Sequence, residues 1–191
     1  MLVVTPRVEM RPLTSERLQL SPLCTRDTAG MFEGVEASRN YLKPWLPWVP
    51  FVYDFDSTLR YIESSMSDWD SGTAYRLSIH ERSTDRFLGV VGLEGVSHMH
   101  DNVELGYWVR SDVASQGYTT EAATLILPWA FSARVHRIRV AAATTNLASL
   151  RVIRKLGFHH EGVSRDAERC NGKWLDHEVF SLLKTDWDLN P

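Results

Sequence analysis

The sequence predicts a mixed α/β fold in which a mostly antiparallel central sheet of about seven strands is flanked by four helices. Strand-like and helix-like runs follow one another in the order β-α-α-β-β-β-α-β-α-β-β, which places helices on the faces of a mixed sheet. The 191 residues contain no repeat, no low-complexity tract and no Pro/Gly/Ser linker. We therefore expect residues 1–191 to form a single domain.

The first half of the chain begins with one strand and two helices. The alternating run Glu16–Leu23 is typical of a half-buried strand. Thr25–Ser38 follows with a helical pattern whose first residue is the expected N-cap. The apolar segment Tyr41–Tyr53 contains three prolines, which exclude a long regular element. Asp56–Trp69 spaces its apolar residues at helical intervals, with a cap expected at its first or second residue.

Three strand patterns then follow one another directly. They cover Thr73–Glu81, Phe87–Val96 and Asn102–Arg110. Because the connections between them are short and polar, we expect an antiparallel meander.

The last part of the chain returns to alternating helices and strands. A glycine-containing loop, Ser111–Tyr118, leads into a helical pattern at Thr119–Arg134. Pro128 is expected to kink this helix or to break one of its hydrogen bonds. His136–Thr144 has the pattern of a buried strand, and Asn146–Gly157 that of a helix with asparagine and glycine at its ends. Two further strand patterns complete the sequence.

Composition limits the classes of function. The 43% hydrophobic and 24% charged fractions are those of a soluble globular protein. A net charge of −3 gives no general electrostatic case for nucleic acid or an anionic membrane. Two cysteines cannot build a disulfide framework, and no apolar run approaches the roughly 18 residues of a membrane span. We expect a cytoplasmic protein, a monomer or homodimer, with no nucleic-acid or membrane partner.

The loop before the third helix carries the first functional signal. Gly117 leaves room for a ligand near the backbone, and Thr119 and Thr120 can add hydroxyl donors. Free N–H groups at a helix start, together with the helix dipole, bind phosphate oxygens. A glycine before a helix is more often a simple turn, and no P-loop lysine follows it, so both interpretations remain open.

Three segments resemble the GNAT N-acetyltransferases, most of all the ribosomal-protein serine and alanine N-terminal acetyltransferases. The segments are NVELGYWVR, ASQGYTTEA and HRIRVAAATTNLASLRVIRKLGFHHEG. The resemblance runs from about Arg11 to Trp187 and is densest over Val103–Gly162. The family signature Gln/Arg-x-x-Gly-x-Gly/Ala falls on residues 114–119, where Ala114 replaces the Gln/Arg that ties the loop and Thr119 replaces the Gly/Ala.

This resemblance implies a GNAT fold and transfer of acetyl from acetyl-CoA to a primary amine. The reaction would be direct attack on the thioester, with no covalent enzyme intermediate and no metal. The resemblance favours a protein N-terminal α-amine as acceptor. A detoxifying or self-resistance enzyme that acts on an antibiotic or an aminoacyl nucleotide is the alternative. A non-catalytic acyl-CoA-binding protein also remains open, because the signature departs at two positions.

The resemblance also implies which residues hold coenzyme A. Those at the end of the third meander strand and in the loop are Trp108, Val109, Arg110, Ser115, Gln116, Gly117, Tyr118, Thr119 and Thr120. Asn146 would bind the pantetheine arm, and Ser149 would lie near the sulfur and protonate the leaving thiolate. Arg151, Arg154 and Lys155 share a helix face that could meet the 3′-phosphate. From the residues alone, Asn146 is simply an N-cap and the basic face is solvated.

The acceptor side of the site is assigned to one carboxylate and two tryptophans. Glu104 lies in an alternating strand, where the family places a glutamate that accepts the amine proton; the alternative is an edge-exposed glutamate. Trp45 and Trp48 would form a wall of the acceptor pocket, or would pack as core. The histidines, His177 among them, have no Ser or Asp partner at a recognisable spacing and receive no role.

Overall fold

The computed structural model describes residues 2–52 and 54–189, which form an eight-stranded sheet with helices on both faces. The strands are β1 (Leu13–Thr14), β2 (Leu18–Pro22), β3 (Tyr75–Glu81), β4 (Phe87–Ser97), β5 (Asn102–Val109), β6 (Arg137–Ala143), β7 (His159–Cys170) and β8 (Lys173–Leu183). The helices are α1 (Thr28–Leu42), α2 (Phe55–Ser71), α3 (Tyr118–Ser132), α4 (Leu147–Lys155) and α5 (Lys184–Leu189). The strand order is β1-β2-β3-β4-β5-β6-β8-β7, and every neighbouring pair is antiparallel except β5–β6.

The predicted order of strands and helices is confirmed, and β1 and α5 extend it at either end. Two helix starts were misplaced by two or three residues. A 3-10 turn occupies Thr25–Asp27, so α1 begins only at Thr28. The N-cap of α2 is Asp54, whose carboxylate accepts the backbone N–H of Ser57 at 2.7 Å while the Ser57 hydroxyl accepts that of Asp54. This reciprocal capping box moves the helix start toward the N-terminus.

The proline-rich segment after α1 forms only a short 3-10 turn, Val49–Phe51, as its prolines predicted. Its predicted last residue, Tyr53, lies outside the described residues. Farther along, α3 continues through Pro128 to Ser132, although proline contributes no N–H to the helix. No helix among the described residues is long and apolar enough to cross a bilayer.

Two apolar cores lie on opposite faces of the sheet. The larger contains Leu105 of β5, Ile126 of α3 and Ile138 of β6. The smaller packs α1 and α2 against the other face and contains Trp108 of β5. Leu105 and Trp108 thus point to opposite faces, as the alternating pattern of β5 predicted.

A buried ion pair joins the start of α1 to β3. Nε2 of His80 lies 3.0 Å from an Asp27 carboxylate oxygen, and Nδ1 lies 3.0 Å from the backbone carbonyl oxygen of Asp85. Burial alone would lower the pKa of His80, but the hydrogen bonds to Asp27 and Asp85 raise it above its ordinary value. Both ring nitrogens face acceptors, so the imidazolium form fits this position.

The feature that matters most for function is the incomplete pairing of β5 with β6. Their parallel ladder covers only Asn102–Glu104 against Arg137–Arg139. Beyond it, residues 105–109 stay bonded to β4, and residues 140–143 stay bonded to β8. One edge of each strand therefore faces a gap in the middle of the sheet, with backbone donors and acceptors available along it.

Candidate active site

A cavity of about 610 Å³ occupies this gap between β5 and β6. All of residues 105–109 and 140–143 line it, together with the start of α4, the loop before α3 and the segment after α1. Ligand sites commonly have volumes of roughly 300–1,000 Å³, so the cavity can hold a substantial ligand. Its lining comes from both sides of the sheet, because it includes Ser149 on the α4 side and Trp48 on the α1 side.

The loop at one end of the cavity presents backbone donors. Ser115 and Gly117 have positive φ angles of 62° and 85°, and α3 begins at Tyr118, one residue before the predicted start. Gly117 is the N-cap residue, and no side chain of the described residues caps the helix there. The first-turn amides and the helix dipole can therefore hold an anion. Ser115, Gly117, Thr119 and Thr120 all line the cavity.

Three predicted coenzyme contacts near this loop do not line the cavity. The side-chain amide of Gln116 donates to the Asp112 carbonyl at 3.1 Å, which holds the loop from outside. Arg110 is buried and forms ion pairs with Glu33 and Asp112. The Tyr118 ring lies under the guanidinium of Arg17, from the turn between β1 and β2, with 4.4 Å between the guanidinium carbon and the ring centroid.

At the start of α4, hydrogen bonds link three polar residues. Asn146 caps the helix by accepting the backbone N–H of Ser149 at 3.1 Å, as predicted. The Ser149 hydroxyl lies 2.8 Å from the hydroxyl of Tyr107, a residue that sequence reasoning left without a role. Burial raises the pKa of Tyr107 to about 12, although its hydrogen bond to Ser149 opposes the shift. Tyr107 therefore stays protonated at neutral pH and can donate to Ser149, which leaves the Ser149 hydrogen free to point elsewhere.

The basic face of α4 is divided between the cavity and the surface. Arg151 and Lys155 line the cavity. Arg154 does not line it: its guanidinium pairs with Glu178 of β8 at 2.9 Å. Two cations thus lie beside the cavity where three were predicted to act together.

Glu104 lines the cavity from an interior strand, so it is not the edge-exposed glutamate of the alternative interpretation. Its carboxylate forms an ion pair with Arg139, its neighbour in the β5–β6 ladder. On the other side it lies opposite Glu94 of β4, and Arg76 neutralises that carboxylate through two hydrogen bonds of 2.8 and 2.6 Å. Charges of alternating sign therefore flank Glu104 where it lines the cavity.

A second carboxylate, Glu168 of β7, also lines the cavity, together with His177 of β8. Nε2 of His177 lies 3.7 Å from a carboxylate oxygen of Glu168. Burial raises the pKa of Glu168; His177 opposes this shift, and the charge of Glu104 adds to it. No sequence pattern assigns a role to His177, because its partner is a glutamate on another strand. A register shift between Ser164 and Glu168, which no sequence pattern signals, sets that pairing.

The two tryptophans lie on the α1 side of the cavity, and both are half-buried. Trp48 stacks on Tyr61 with ring centroids 6.1 Å apart and lies 5.7 Å from Trp108. Trp45 belongs to neither apolar core. Trp48 therefore combines wall and core packing, whereas Trp45, among the described residues, belongs to the wall and to neither core.

Residues 2–52 and 54–189 hold no group of three or more His, Cys, Asp or Glu side chains that could bind a metal ion.

Comparison with known proteins finds a family model, several sequence relatives and several solved structures that this chain is similar to. A family model described as the acetyltransferase (GNAT) domain matches residues 17–159, more than half of the chain. A probable N-acetyltransferase of Bacillus subtilis, YjcK, is 35% identical over 114 residues, which cover 59% of this chain and 63% of YjcK. The chain thus spans less than two thirds of the length of the first curated relatives it matches, 63% and 66%.

Other matches extend over nearly the whole chain. The ribosomal protein uS5-alanine N-acetyltransferase of Escherichia coli is 24% identical and covers 92% of each chain. A solved structure of the microcin C7 self-immunity acetyltransferase MccE, in complex with acetyl-CoA and AMP, is 22% identical with a TM-score of 0.85. That match covers 92% of this chain and 99% of MccE, and at this identity it shows the fold alone.

Proposed function

The chain belongs to the GNAT acetyltransferase family, and we propose that it transfers an acetyl group from acetyl-CoA to a primary amine. The cavity between β5 and β6 carries this proposal. It joins the uncapped amides of α3 and the Ser149 hydroxyl on one face of the sheet to two carboxylates and two tryptophans on the other. A thioester that passes through the gap would meet an amine that arrives from the opposite face.

Coenzyme binding would depend mainly on backbone groups. The amides at the start of α3 would hold the pyrophosphate, and the free edges of β5 and β6 would pair with the amides of the pantetheine arm. Arg151 and Lys155 would attract the 3′-phosphate. Because backbone groups make most of these contacts, the replacements Ala114 and Thr119 in the signature leave the donors in place.

The chemistry would proceed by direct attack, with protons moved by residues of the two faces. As the amine nitrogen bonds to the thioester carbon, a carboxylate accepts the ammonium proton. As the carbon–sulfur bond breaks, Ser149 donates its proton to the thiolate, and Tyr107 supports it through their 2.8 Å hydrogen bond. The carboxylate and the serine thus act on opposite sides of the reacting carbon.

Two carboxylates can accept the amine proton. Glu104 is the residue that the sequence suggests, but its carboxylate is engaged by Arg139. Glu168 has a raised pKa, which brings its proton affinity closer to that of an amine. We therefore assign Glu168 as the main proton acceptor, with the negative charge of Glu104 supporting its basicity.

Replacement of each carboxylate tests this assignment. Glu168→Gln should lower turnover by about 10²–10⁴-fold with unchanged coenzyme affinity. Activity should return partly above pH 8, because a free α-amino group has a pKa of about 7.7–8.0 and becomes neutral there. Glu104→Gln should cost less. A larger loss with Glu104→Gln, recovered at high pH, would return the role to Glu104.

The favoured acceptor is a protein N-terminal amine, because several relatives are ribosomal-protein N-acetyltransferases. The tryptophan wall favours a second candidate, an amine-bearing small molecule with a planar ring such as an aminoacyl nucleotide. The similar fold of MccE, solved with AMP, supports that candidate. Both acceptors place a neutral amine beside the carboxylates.

A thiol-release assay separates these candidates from each other and from simple binding. Two kinds of acceptor are incubated with acetyl-CoA: peptides that begin with serine or alanine, and an aminoacyl nucleotide analogue. Peptides with a blocked N-terminus serve as controls. We expect free coenzyme A and an acetylated peptide. Turnover with the nucleotide analogue, but with none of the peptides, would favour the second candidate. Tight acetyl-CoA binding with no turnover on any amine would make the chain a binding protein.

A further inference from the structure

The turn between β1 and β2 contacts the loop before α3. Nη1 of Arg17 donates to the backbone carbonyl of Gln116 at 3.3 Å, and its Nε donates to the Glu121 carboxylate at 2.8 Å. The Ser15 hydroxyl donates to the other oxygen of that carboxylate at 2.6 Å. This turn therefore holds both the loop and the first turn of α3, from about 100 residues away in sequence.

The carbonyl that Arg17 holds lies at the strained part of the loop. Gln116 is flanked by Ser115 and Gly117, both in the left-handed region, and for a residue with a side chain this costs about 1–3 kcal/mol. The Gln116 carbonyl and the Gly117 N–H belong to one planar trans peptide, so they point in opposite directions. A guanidinium that fixes the carbonyl on one side therefore aims the N–H toward the other side.

Nothing inside the loop replaces this contact at the carbonyl. Ala114 has no polar side chain, and the Gln116 side chain is occupied by the Asp112 carbonyl. Nη2 of Arg17 lies 3.6 Å from the position that a Cβ on Gly117 would occupy. The guanidinium is thus near enough to act on the Gly117 peptide directly.

Arg17 is itself held firmly. Its guanidinium forms an ion pair with Glu121 and lies over the Tyr118 ring, whose hydroxyl donates to Glu81 at 3.3 Å. Burial alone would raise the pKa of Glu121, but hydrogen bonds from Ser15 and Arg17 lower it below its ordinary value. The carboxylate therefore remains charged at neutral pH, and the contacts persist.

We propose that Arg17 is a positioning residue for coenzyme binding, which orients the Gly117 peptide so that its N–H points into the anion site at the start of α3. This inference rests on the proposed coenzyme binding at that loop. Arg17 itself need not touch the ligand, because it acts through the loop backbone.

Three variants test this role. Arg17→Ala should weaken coenzyme A affinity about tenfold in calorimetry, the scale of one lost charge-assisted hydrogen bond, while turnover at saturating acetyl-CoA stays near wild type. Arg17→Lys keeps the charge but loses the planar fork, so its affinity should be intermediate. Arg82→Ala is the matched control: Arg82 donates to the Ser15 carbonyl at 2.6 Å in the same turn, and among the described residues its side chain forms no hydrogen bond or ion pair with the loop. It should bind coenzyme A like the wild type.

A ligand-free measurement separates this inference from the proposed function. Amide hydrogen exchange across residues 114–118 should speed up in Arg17→Ala and Arg17→Lys, but not in Arg82→Ala. Unchanged exchange in a folded Arg17 variant would overturn the positioning role, as would wild-type affinity for coenzyme A. A wild-type protein that fails to bind coenzyme A would instead overturn the proposed function. Should Arg17→Ala not fold, Arg17→Lys carries both measurements.

Discussion

Trp45 and Trp48 offer the sharpest test of where the acceptor binds. Both line the α1 side of the cavity, but only Trp48 has aromatic ring partners among the described residues. Trp48→Ala therefore removes part of the cavity wall together with core packing, whereas Trp45→Ala removes part of the wall without that loss. The two variants should share one effect, on the acceptor, and differ in another, on stability.

The expected size of each effect follows from burial and contacts. Truncating a fully buried tryptophan costs about 3–5 kcal/mol, so the half-buried Trp48, with two ring partners, should cost about 2 kcal/mol. For a chain of this length, that lowers the melting temperature by about 4–8 °C. Trp45→Ala should cost less than about 1 kcal/mol, since it loses no ring contact. Loss of a stacking surface, about 1–3 kcal/mol, should raise the acceptor KM about 5- to 150-fold in both variants.

Thermal melts and steady-state kinetics on the same preparations measure both effects. Acetyl-CoA is kept saturating, and its affinity should stay at the wild-type value. Trp174→Ala is the control, because Trp174 is 59% exposed on the β7–β8 hairpin and does not line the cavity. An unchanged acceptor KM in Trp45→Ala, with full stability, would refute the wall. Equal losses of stability in both variants would show that Trp45 is core as well.

Four further substitutions, the first with a matched control, test other parts of the site and fold. Gly117→Glu should abolish measurable coenzyme A binding in calorimetry, because it places a charge at the anion site and a side chain at φ 85°. Gly172→Glu, at φ 78° in the β7–β8 turn, carries the same backbone cost and should bind normally. Ser149→Ala should lower turnover about tenfold at constant coenzyme affinity, below the roughly 10²–10⁴ of a full general acid. Asn146→Ala should mainly weaken coenzyme A binding and, through loss of the helix cap, lower the free energy of unfolding by about 1 kcal/mol. If Ser149→Ala and Asn146→Ala lowered stability equally and changed nothing else, only the capping role would stand. The pKa of His80 is raised, so its ion pair with Asp27 stabilises the fold fully below about pH 6.5. This stabilisation is lost as the pH rises through the raised pKa. The melting temperature should therefore fall less across this pH range in His80→Gln than in the wild type.

Local patterns were enough to predict the order of the elements. Alternation in β5 placed Glu104 and Trp108 on one face and Leu105 and Tyr107 on the other, and this arrangement governs the cavity. The cap at Asn146 was also correct, since asparagine before a helical run is a local signal. These features depend on neighbours within a few residues, which a single sequence displays.

Features that depend on distant pairing could not be predicted. Glu168 and His177 reach the cavity only because a register shift in β7 sets their strand pairing. Arg17 meets Gln116 across the sheet, and nothing in either local sequence indicates the contact. Arg154 shares a helix face with Lys155, but Glu178 on a neighbouring strand decides where it points. Each depends on tertiary geometry that periodicity does not encode.

The short ladder between β5 and β6 has a consequence for how the molecule unfolds. The sheet is in effect two half-sheets, β1–β5 and β6–β8, that share three paired positions and the larger apolar core. A pantetheine arm between them would serve as a removable ninth strand, bonded to both halves. A ligand that binds only the folded form, at a concentration of 100 times its Kd, stabilises that form by about 2.7 kcal/mol. Bound coenzyme should therefore suppress separation of the two half-sheets. An enzyme of this design would be most rigid while it is loaded and most prone to local opening just after coenzyme A leaves.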